Sequence, residues 1–269
     1  YLAGRAHVIG LTGPPGVGKS TLINALLKRW RRDGISVGVI AVDPSSTRSQ
    51  GALLGDRVRM RTDPEDEGVF VRSLASRGRL GGLADVAFPS IVLMRAVFDR
   101  VIVETVGVGQ SEAEIKSVAD TVVMCVQPGS GDSLQFMKAG IMEIPDIAVV
   151  TKADSGPAAR RALSELEGAL SLASGESVPC YLVSSATGEG FDGLLDTLKQ
   201  RSEMLKGDAF ESRRHKQAED WLVSAVRQRY GEAGVESAGK ALGLKKGAAP
   251  FGQNRMISRG FDLSFHNKE

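Results

Sequence analysis

The stretch HVIGLTGPPGVGKST, residues 7–21, decides the fold of this chain. It starts with an apolar run of strand type, His7 to Leu11, and it runs into an amphipathic stretch that predicts a helix over Lys19 to Arg32. Between them GPPGVGKS, Gly13 to Ser20, fits the spacing G-x-x-x-x-G-K-[ST]. A strand, a glycine loop and a helix in that order suit a polyphosphate, whose charges must be wrapped by backbone N–H groups at close range. The cradle is expected to run through Gly13, Pro14, Pro15, Gly16, Val17, Gly18, Lys19, Ser20 and Thr21. Lys19 is placed to reach the β- and γ-phosphates, the Ser20 hydroxyl to join a magnesium shell, and the helix to offer its positive end. A tight glycine turn with no ligand would account for the glycines, but not for the GKST tetrad in this setting.

Outward from that loop, short β-branched runs alternate with longer amphipathic stretches. The runs are HVIGL (7–11), VGVIAV (37–42), VFV (69–71), VIVE (101–104), TVVMCV (121–126), IAVVT (147–151) and CYLVS (180–184). Several are apolar at successive positions, as in strands buried on both faces. Helices are expected over Lys19 to Arg32, Ala158 to Ala173 and Phe191 to Leu205. The alternation implies an α/β fold of P-loop NTPase type: a mostly parallel sheet, helices on both faces, and the ligand beyond the carboxyl ends of the strands. The pattern changes after about residue 206, which divides the chain into a P-loop domain, 1–206, and a C-terminal helical extension, 207–269. There Phe210 to Tyr230 reads as one helix with Leu222, Val226 and Tyr230 on one stripe, suited to ordinary packing or to dimer or partner contact. From Gly231 onward no clear periodicity follows.

Four further motifs fall at strand ends. Asp43 in VDPSS can approach magnesium directly or through water, although the same residues also make a good turn and helix start. In ETVGVGQSE, Glu104 is placed against the metal and Gly107 offers its N–H to the γ-phosphate, in a glycine-rich loop able to move when that phosphate is lost. TKAD supplies Thr151, Lys152 and Asp154; a carboxylate at Asp154 can accept from guanine N1–H and the 2-amino group together, which adenine cannot match. Ser184, Ser185 and Ala186 follow the last strand, where backbone N–H groups can meet the guanine oxygen. The motifs in this order predict a site for GTP and GDP with Mg2+, with Lys19, Asp43, Glu104 and Gly107 nearest the chemistry.

Composition narrows the field. The 269 residues are 42% hydrophobic and 25% charged, as in ordinary globular chains, and the net charge of +2 is too small to argue for nucleic acid or an anionic membrane. Lys28, Arg29, Arg31 and Arg32 read as the solvated cationic end of a helix. Two cysteines, Cys125 and Cys180, and three scattered histidines suggest neither a disulfide framework nor a zinc site. No apolar run approaches the roughly 18 residues of a membrane span and no signal peptide opens the sequence, so a bacterial cytoplasm or a mitochondrial matrix is the expected compartment. The first residue is Tyr1 rather than methionine, which suggests that native residues precede it.

With these motifs together, the chain resembles the MeaB/ArgK-type GTPases, a family that includes the human methylmalonic aciduria type A protein. The resemblance runs from about Arg5 to Tyr230 and rests on GPPGVGKST, AVDPSSTRSQGALLGDRVRM, FVRS with the following LGG, ETVGVGQSE, PGSGD–LQ–KAGIMEIPDI and the KAD of TKAD. It implies a GTPase of the SIMIBI class, working as a homodimer on methylmalonyl-CoA mutase or a relative. There it would gate adenosylcobalamin loading and removal of damaged cofactor, with a cobalamin adenosyltransferase as a further partner and no cobalamin bound by this chain. It also implies that Asp56 in LLGDR joins Asp43, Glu104 and Ser20 around magnesium, and that Gly129 to Gly140 is a mobile segment in which Asp132 and Lys138 sense nucleotide or partner. Two features depart from the family pattern: Thr151 stands where asparagine is usual, and the helical N-terminal extension expected of the family is missing ahead of Tyr1; the tail after Gly231 does not obviously match the expected dimerisation arm. The competing readings are a P-loop kinase or ATPase and a targeting-type GTPase unconnected with cobalamin. A kinase would need an acceptor pocket and a base, and a targeting GTPase a methionine-rich domain; the 7 methionines are scattered.

Overall fold

The computed structural model describes residues 4, 6–43, 63, 65–75, 86–105, 115–129, 145–174 and 177–266. Within them the seven apolar runs form strands β1 His7–Thr12, β2 Val37–Asp43, β3 Val69–Ala75, β4 Arg100–Glu104, β5 Thr121–Val126, β6 Ile147–Val150 and β7 Cys180–Leu182. They pair in the order β3-β2-β4-β1-β5-β6-β7, and every pairing is parallel. The expected mostly parallel α/β sheet is therefore present. Central β1 is buried at all six positions, which is why its sequence is apolar without alternation.

The described helices are α1 Lys19–Arg32, α2 Ala87–Val97, α3 Pro157–Ser174, α4 Phe191–Met204, α5 Asp208–Ala238 and α6 Pro250–His266. Alternate residues of the strands face opposite helix layers. Ile9, Leu11, Val123, Ile147 and Val149 pack with Leu22 and Leu26 of α1 and Leu194 and Leu198 of α4. Met124, Val126, Ala148 and Val150 pack instead with Leu166 and Leu170 of α3. Helix α1 ends where Gly34 takes φ +75, with Gly34 N–H donating to Arg31 O at 3.1 Å and Ile35 N–H to Trp30 O at 2.9 Å. This left-handed glycine stop closes the last turn and returns the chain to β2.

Helix α2 was not foreseen. Its sequence AFPSIVLMRAV is apolar nearly all round, so it shows no helical period, and Pro89 suggests a break. The proline sits in the first turn, where its missing N–H has no intrahelical partner to lose.

Polar side chains close the amino edge of the sheet. Asp120 is fully buried; its Oδ2 accepts from Val8 N–H and its own N–H donates to Val8 O, both at 2.8 Å. Asp146 accepts from Val122 N–H at 2.8 Å and pairs with Arg201 of α4. The opposite edge, where the strands end, carries the motifs.

The chain divides by its contacts into Leu2–Met204 and a second unit from Leu205 to Glu269. In the second unit, α5 is interrupted at Gly231, with φ 69 and ψ −170, and continues to Ala238. Trp221 meets Phe251 edge to face, with centroids 5.0 Å apart, and Tyr230 meets Phe261 at 4.6 Å. Leu222 and Val226, the stripe read from the sequence, are fully buried. Helix α6 lies in the expected C-terminal helical extension, in the stretch after Gly231 where the sequence shows no clear periodicity. Glycines at 231, 234, 239, 243 and 247 break up the stretch before it, and Gly252 and Gly260 lie within it.

Candidate functional site: a glycine loop and a base loop at the strand ends

The glycine loop follows β1 directly. Gly13 has φ +136, and a Cβ there would lie 2.2 Å from the Cys125 carbonyl oxygen of β5, so only glycine fits. Gly18, at φ +103, precedes α1; it provides no side-chain cap, and the first turn contains no acidic residue. The helix thus presents its N–H groups and positive end to the loop without an internal anion to compete. Lys19 is buried, and its Nζ donates to Gly13 O at 2.7 Å and Pro14 O at 3.1 Å, so the ammonium lies across the loop.

Glu104 ends β4 in register with Leu11 of β1 and Ala41 of β2. It is only 6% exposed, and Ser20 Oγ donates to its Oε1 at 3.1 Å. Thr105, which motif reading missed, is fully buried; its N–H donates to Leu11 O at 3.0 Å and its hydroxyl to Thr12 Oγ1 at 3.2 Å. These bonds fasten the start of the ETVGVGQSE loop to the end of β1. Asp43 ends β2 at the same edge, in register with Ala75, and its side chain lies outside the described residues. Asp56, Gly107, Asp132 and Lys138 also lie outside them.

The third part comes from β6 and β7. Thr151 is buried, and its hydroxyl donates to Val17 O of the glycine loop at 2.6 Å, with Val126 O at 3.1 Å. The hydroxyl that replaces the expected amide therefore still ties this loop to the glycine loop. Lys152 follows in a left-handed conformation, φ 56, and its Nζ donates to Gln127 Oε1 at 2.6 Å. Asp154 sits exposed in the one-turn segment Ala153–Ser155. Ser184 Oγ donates to Asp154 Oδ1 at 2.6 Å and accepts from Thr187 N–H at 3.2 Å. The Ser184 hydroxyl, and then the aspartate's own backbone N–H, hold the Asp154 carboxyl below its ordinary range. The residue is thus a charged acceptor at neutral pH. Ser185 and Ala186 follow in the turn, which is closed by Gly188 N–H on Ser184 O at 2.8 Å.

Two cations assigned to solvent from the sequence are engaged in the structure. Arg31 forms a forked pair with Asp66, at 2.9 Å from Nε to Oδ2 and 2.8 Å from Nη2 to Oδ1. Arg29 donates to Gly188 O at 3.4 Å, and its guanidinium lies 3.9 Å from the centroid of the Phe191 ring. Sequence spacing offers no signal for either contact, because each partner is distant along the chain.

A hydroxyl and a buried carboxylate 3.1 Å apart are hard oxygen donors, which suits magnesium bound jointly with phosphate and water. Among the described residues no group of three or more His, Cys, Asp and Glu side chains gathers for a metal. Among the same residues no helix is long and apolar enough to cross a membrane.

A parallel sheet with a glycine loop, a strand-end acid and the ionised Asp154 at its carboxyl edge is the arrangement of a P-loop nucleotide-binding protein. Comparison with known proteins narrows the class. Residues 1–238 match the family described as the methylmalonyl-CoA mutase-associated GTPase MeaB, and the chain belongs to that family of GTPases. A Pyrococcus horikoshii protein bearing a GTPase name is 47% identical over 222 residues, 79% of this chain and 70% of that one. The mouse mitochondrial protein named methylmalonic aciduria type A homolog is 36% identical over 228 residues, 82% of this chain and 55% of that one. A solved structure of a LAO/AO transport system kinase superposes with TM-score 0.62 at 25% identity, covering 97% of this chain and 83% of that one.

Proposed function

We propose that this chain binds GTP with magnesium at the strand-end site, hydrolyses it slowly when alone, and acts as a nucleotide-driven chaperone of a cobalamin-dependent acyl-CoA mutase. The observation that supports the nucleotide reading best is the junction made by Thr151. Its hydroxyl joins the glycine loop at Val17 to the loop carrying Asp154, so phosphate and base contacts belong to one unit. In this reading the backbone from Gly13 to Thr21 wraps the phosphates, and Lys19 exchanges its loop carbonyls for phosphate oxygens. Asp154, aimed by Ser184, accepts from guanine N1–H and the 2-amino group. Ser185 and Ala186 offer backbone N–H groups to the guanine oxygen, and Lys152, held by Gln127, lies beside the base.

Ser20 and Glu104 would hold magnesium, with Asp43 and Asp56 as further acidic residues, and Gly107 would meet the γ-phosphate. Bound there, magnesium would neutralise charge developing on the transferred phosphoryl group. Glu104 is buried and fixed in the β4 register, so its carboxylate needs little reordering to serve.

The mutase assignment draws its support from the family description and from the methylmalonic aciduria type A relative. We extend it to a homodimer, to a domain division into 1–206 and 207–269 with the second part as the contact region, and to a cobalamin adenosyltransferase as a further partner. The compartment would be a bacterial cytoplasm or a mitochondrial matrix. GTP and ATP turnover, measured with and without methylmalonyl-CoA mutase, tests the proposal. GTP-selective turnover that rises with the mutase is expected. Equal use of ATP would remove the guanine assignment, and no response or binding to any acyl-CoA mutase would remove the chaperone role.

A further inference from the structure

We propose that Arg29, on the far end of α1, is a positioning residue for base selection, holding the loop Ser184–Gly190 in register with the glycine loop. The inference rests on the guanine reading above and adds a residue that neither motif spacing nor family membership assigns. Lys19 and Arg29 are ten residues apart on one helix, hence separated by about 15 Å along its axis. The phosphate end of α1 and its base-loop end are therefore parts of one rigid rod.

At that second end three contacts converge. Arg29 Nη1 donates to Ala25 O at 3.1 Å, which ties the guanidinium to its own helix. Nη2 donates to Gly188 O at 3.4 Å, inside the base loop. The guanidinium plane covers the ring of Phe191, the first residue of α4, at 3.9 Å from its centroid. Phe191 is fully buried, so the cation closes the core at the point where the loop re-enters it.

The loop is shaped to be gripped there. Gly188 takes φ +85, and a Cβ on it would stand 3.2 Å from Arg29 Nη2. Gly190 takes φ +77, and a Cβ on it would fall 1.8 Å from Leu182 O, so the loop lies tightly folded over the end of β7. Its start is Ser184, whose hydroxyl orients Asp154 and whose carbonyl accepts from Gly188 N–H at 2.8 Å. Arg29 thus bonds one partner of that turn, and the other partner aims the carboxylate. Loss of the grip lets the turn move, and the contacts that read guanine loosen while those that bind phosphate do not.

The test compares GTP and ATP affinities of the full chain and its variants by titration with magnesium present, together with the thermal midpoint and kcat at saturating GTP. Arg29→Ala should lower the GTP-to-ATP affinity ratio by about tenfold, the scale of one charge-assisted hydrogen bond. ATP affinity and kcat should change little. Arg29→Lys, which keeps a cation over the ring but not the fork, should recover part of the ratio. A merely structural role would lower the midpoint and weaken both nucleotides together, leaving the ratio unchanged; that result overturns the inference. Should Arg29→Ala fail to fold, Arg29→Lys and Phe191→Leu decide it, since an unaltered ratio in both overturns the proposal equally. A ratio near one in the unmodified protein would instead remove the guanine assignment itself, so the two failures are distinct.

Discussion

Asp154, the residue proposed to read guanine, shows how one hydrogen bond can set the pH range over which a carboxylate stays ionised. Its carboxyl is held below the ordinary range chiefly by Ser184, so the ionised form is favoured in the fold. A depressed pKa contributes above the unfolded value and is lost only as pH falls through the lower folded one. GTP affinity should therefore stay flat down to about pH 5 and weaken only below the ordinary aspartate value of about 4. Ser184→Ala should move that decline to higher pH, which titrations of GTP affinity across the acid range would reveal. Asp154→Asn should weaken GTP about ten- to a hundredfold and shift preference toward xanthosine triphosphate, a complementary donor pattern read by competition binding. Thr151 gives a different residue-scale lesson. Motif reading registers a departure from asparagine, yet the hydroxyl donates to Val17 O at 2.6 Å, while Val126 O accepts from the Thr151 backbone N–H at 2.9 Å. Thr151→Val keeps the shape and removes that donor, and should cost about 1–3 kcal/mol in urea unfolding. The glycine loop, Asp154 and the Ser184 loop are legible because local spacing defines them. Thr105 and Arg29 are not, because their partners come from distant strands and loops.

At the scale of elements, legibility followed the physical strength of each local signal. The seven strands were readable because parallel strands buried on both faces are continuous apolar runs, and α1 because a glycine loop opens it and Gly34 stops it. Helix α2 lacked a polar face, and the tail was obscured by glycines, so neither declared a period. The glycine loop itself predicts a contrast between two of its glycines. Gly13→Ala forces a Cβ to within 2.2 Å of the Cys125 carbonyl, so β5 or the loop must shift. The expected cost exceeds about 3 kcal/mol, with loss of nucleotide binding. Gly16 has φ +76 and open space around it, so Gly16→Ala should cost only the left-handed backbone penalty of about 1 kcal/mol. Thermal midpoints of the two variants, with nucleotide titrations, check the order. Strands β5 and β7 make a second prediction through their cysteines. Burial pushes the Cys125 thiol up to about 12 and the Cys180 thiol to about 11, so both are protonated at neutral pH. Fully buried Cys125 should not react with a thiol reagent at pH 8 until the protein unfolds, and half-buried Cys180 should react slowly, a difference that mass spectrometry reads directly. Early labelling of Cys125 would mean that the floor of the glycine loop opens in the native state.

For the molecule as a whole, the glycine loop and the loop carrying Asp154 are joined to each other at the carboxyl edge of the sheet through Thr151. In the proposed site Ser20 and Glu104 would be committed to magnesium, and neither would then be free to abstract a proton from an attacking water. Lys19 is a cation suited to phosphate charge rather than to base chemistry. Ras-type enzymes place a glutamine directly after the switch glycine to orient the water. Here Val108 follows Gly107, and Gln110 comes two positions later, all outside the described residues. A site built for binding but without that glutamine should turn over slowly. We therefore expect kcat of the isolated protein at or below the order of 10⁻² s⁻¹, the range of unstimulated switch GTPases. A mutase that orders the switch loop, or supplies a group to it, should raise this rate and do so saturably. A supplied arginine can be worth about 10³–10⁵, whereas loop ordering alone should be worth less, so the size of the stimulation distinguishes the two. Lys19→Ala should remove both basal and stimulated turnover by removing triphosphate binding. Glu104→Ala should instead preserve some nucleotide affinity and lose magnesium-dependent turnover. The decisive measurement is single-turnover hydrolysis against mutase concentration. A rate already fast without the mutase, and indifferent to it, would show that the chain completes its own catalytic site and that partner gating is wrong.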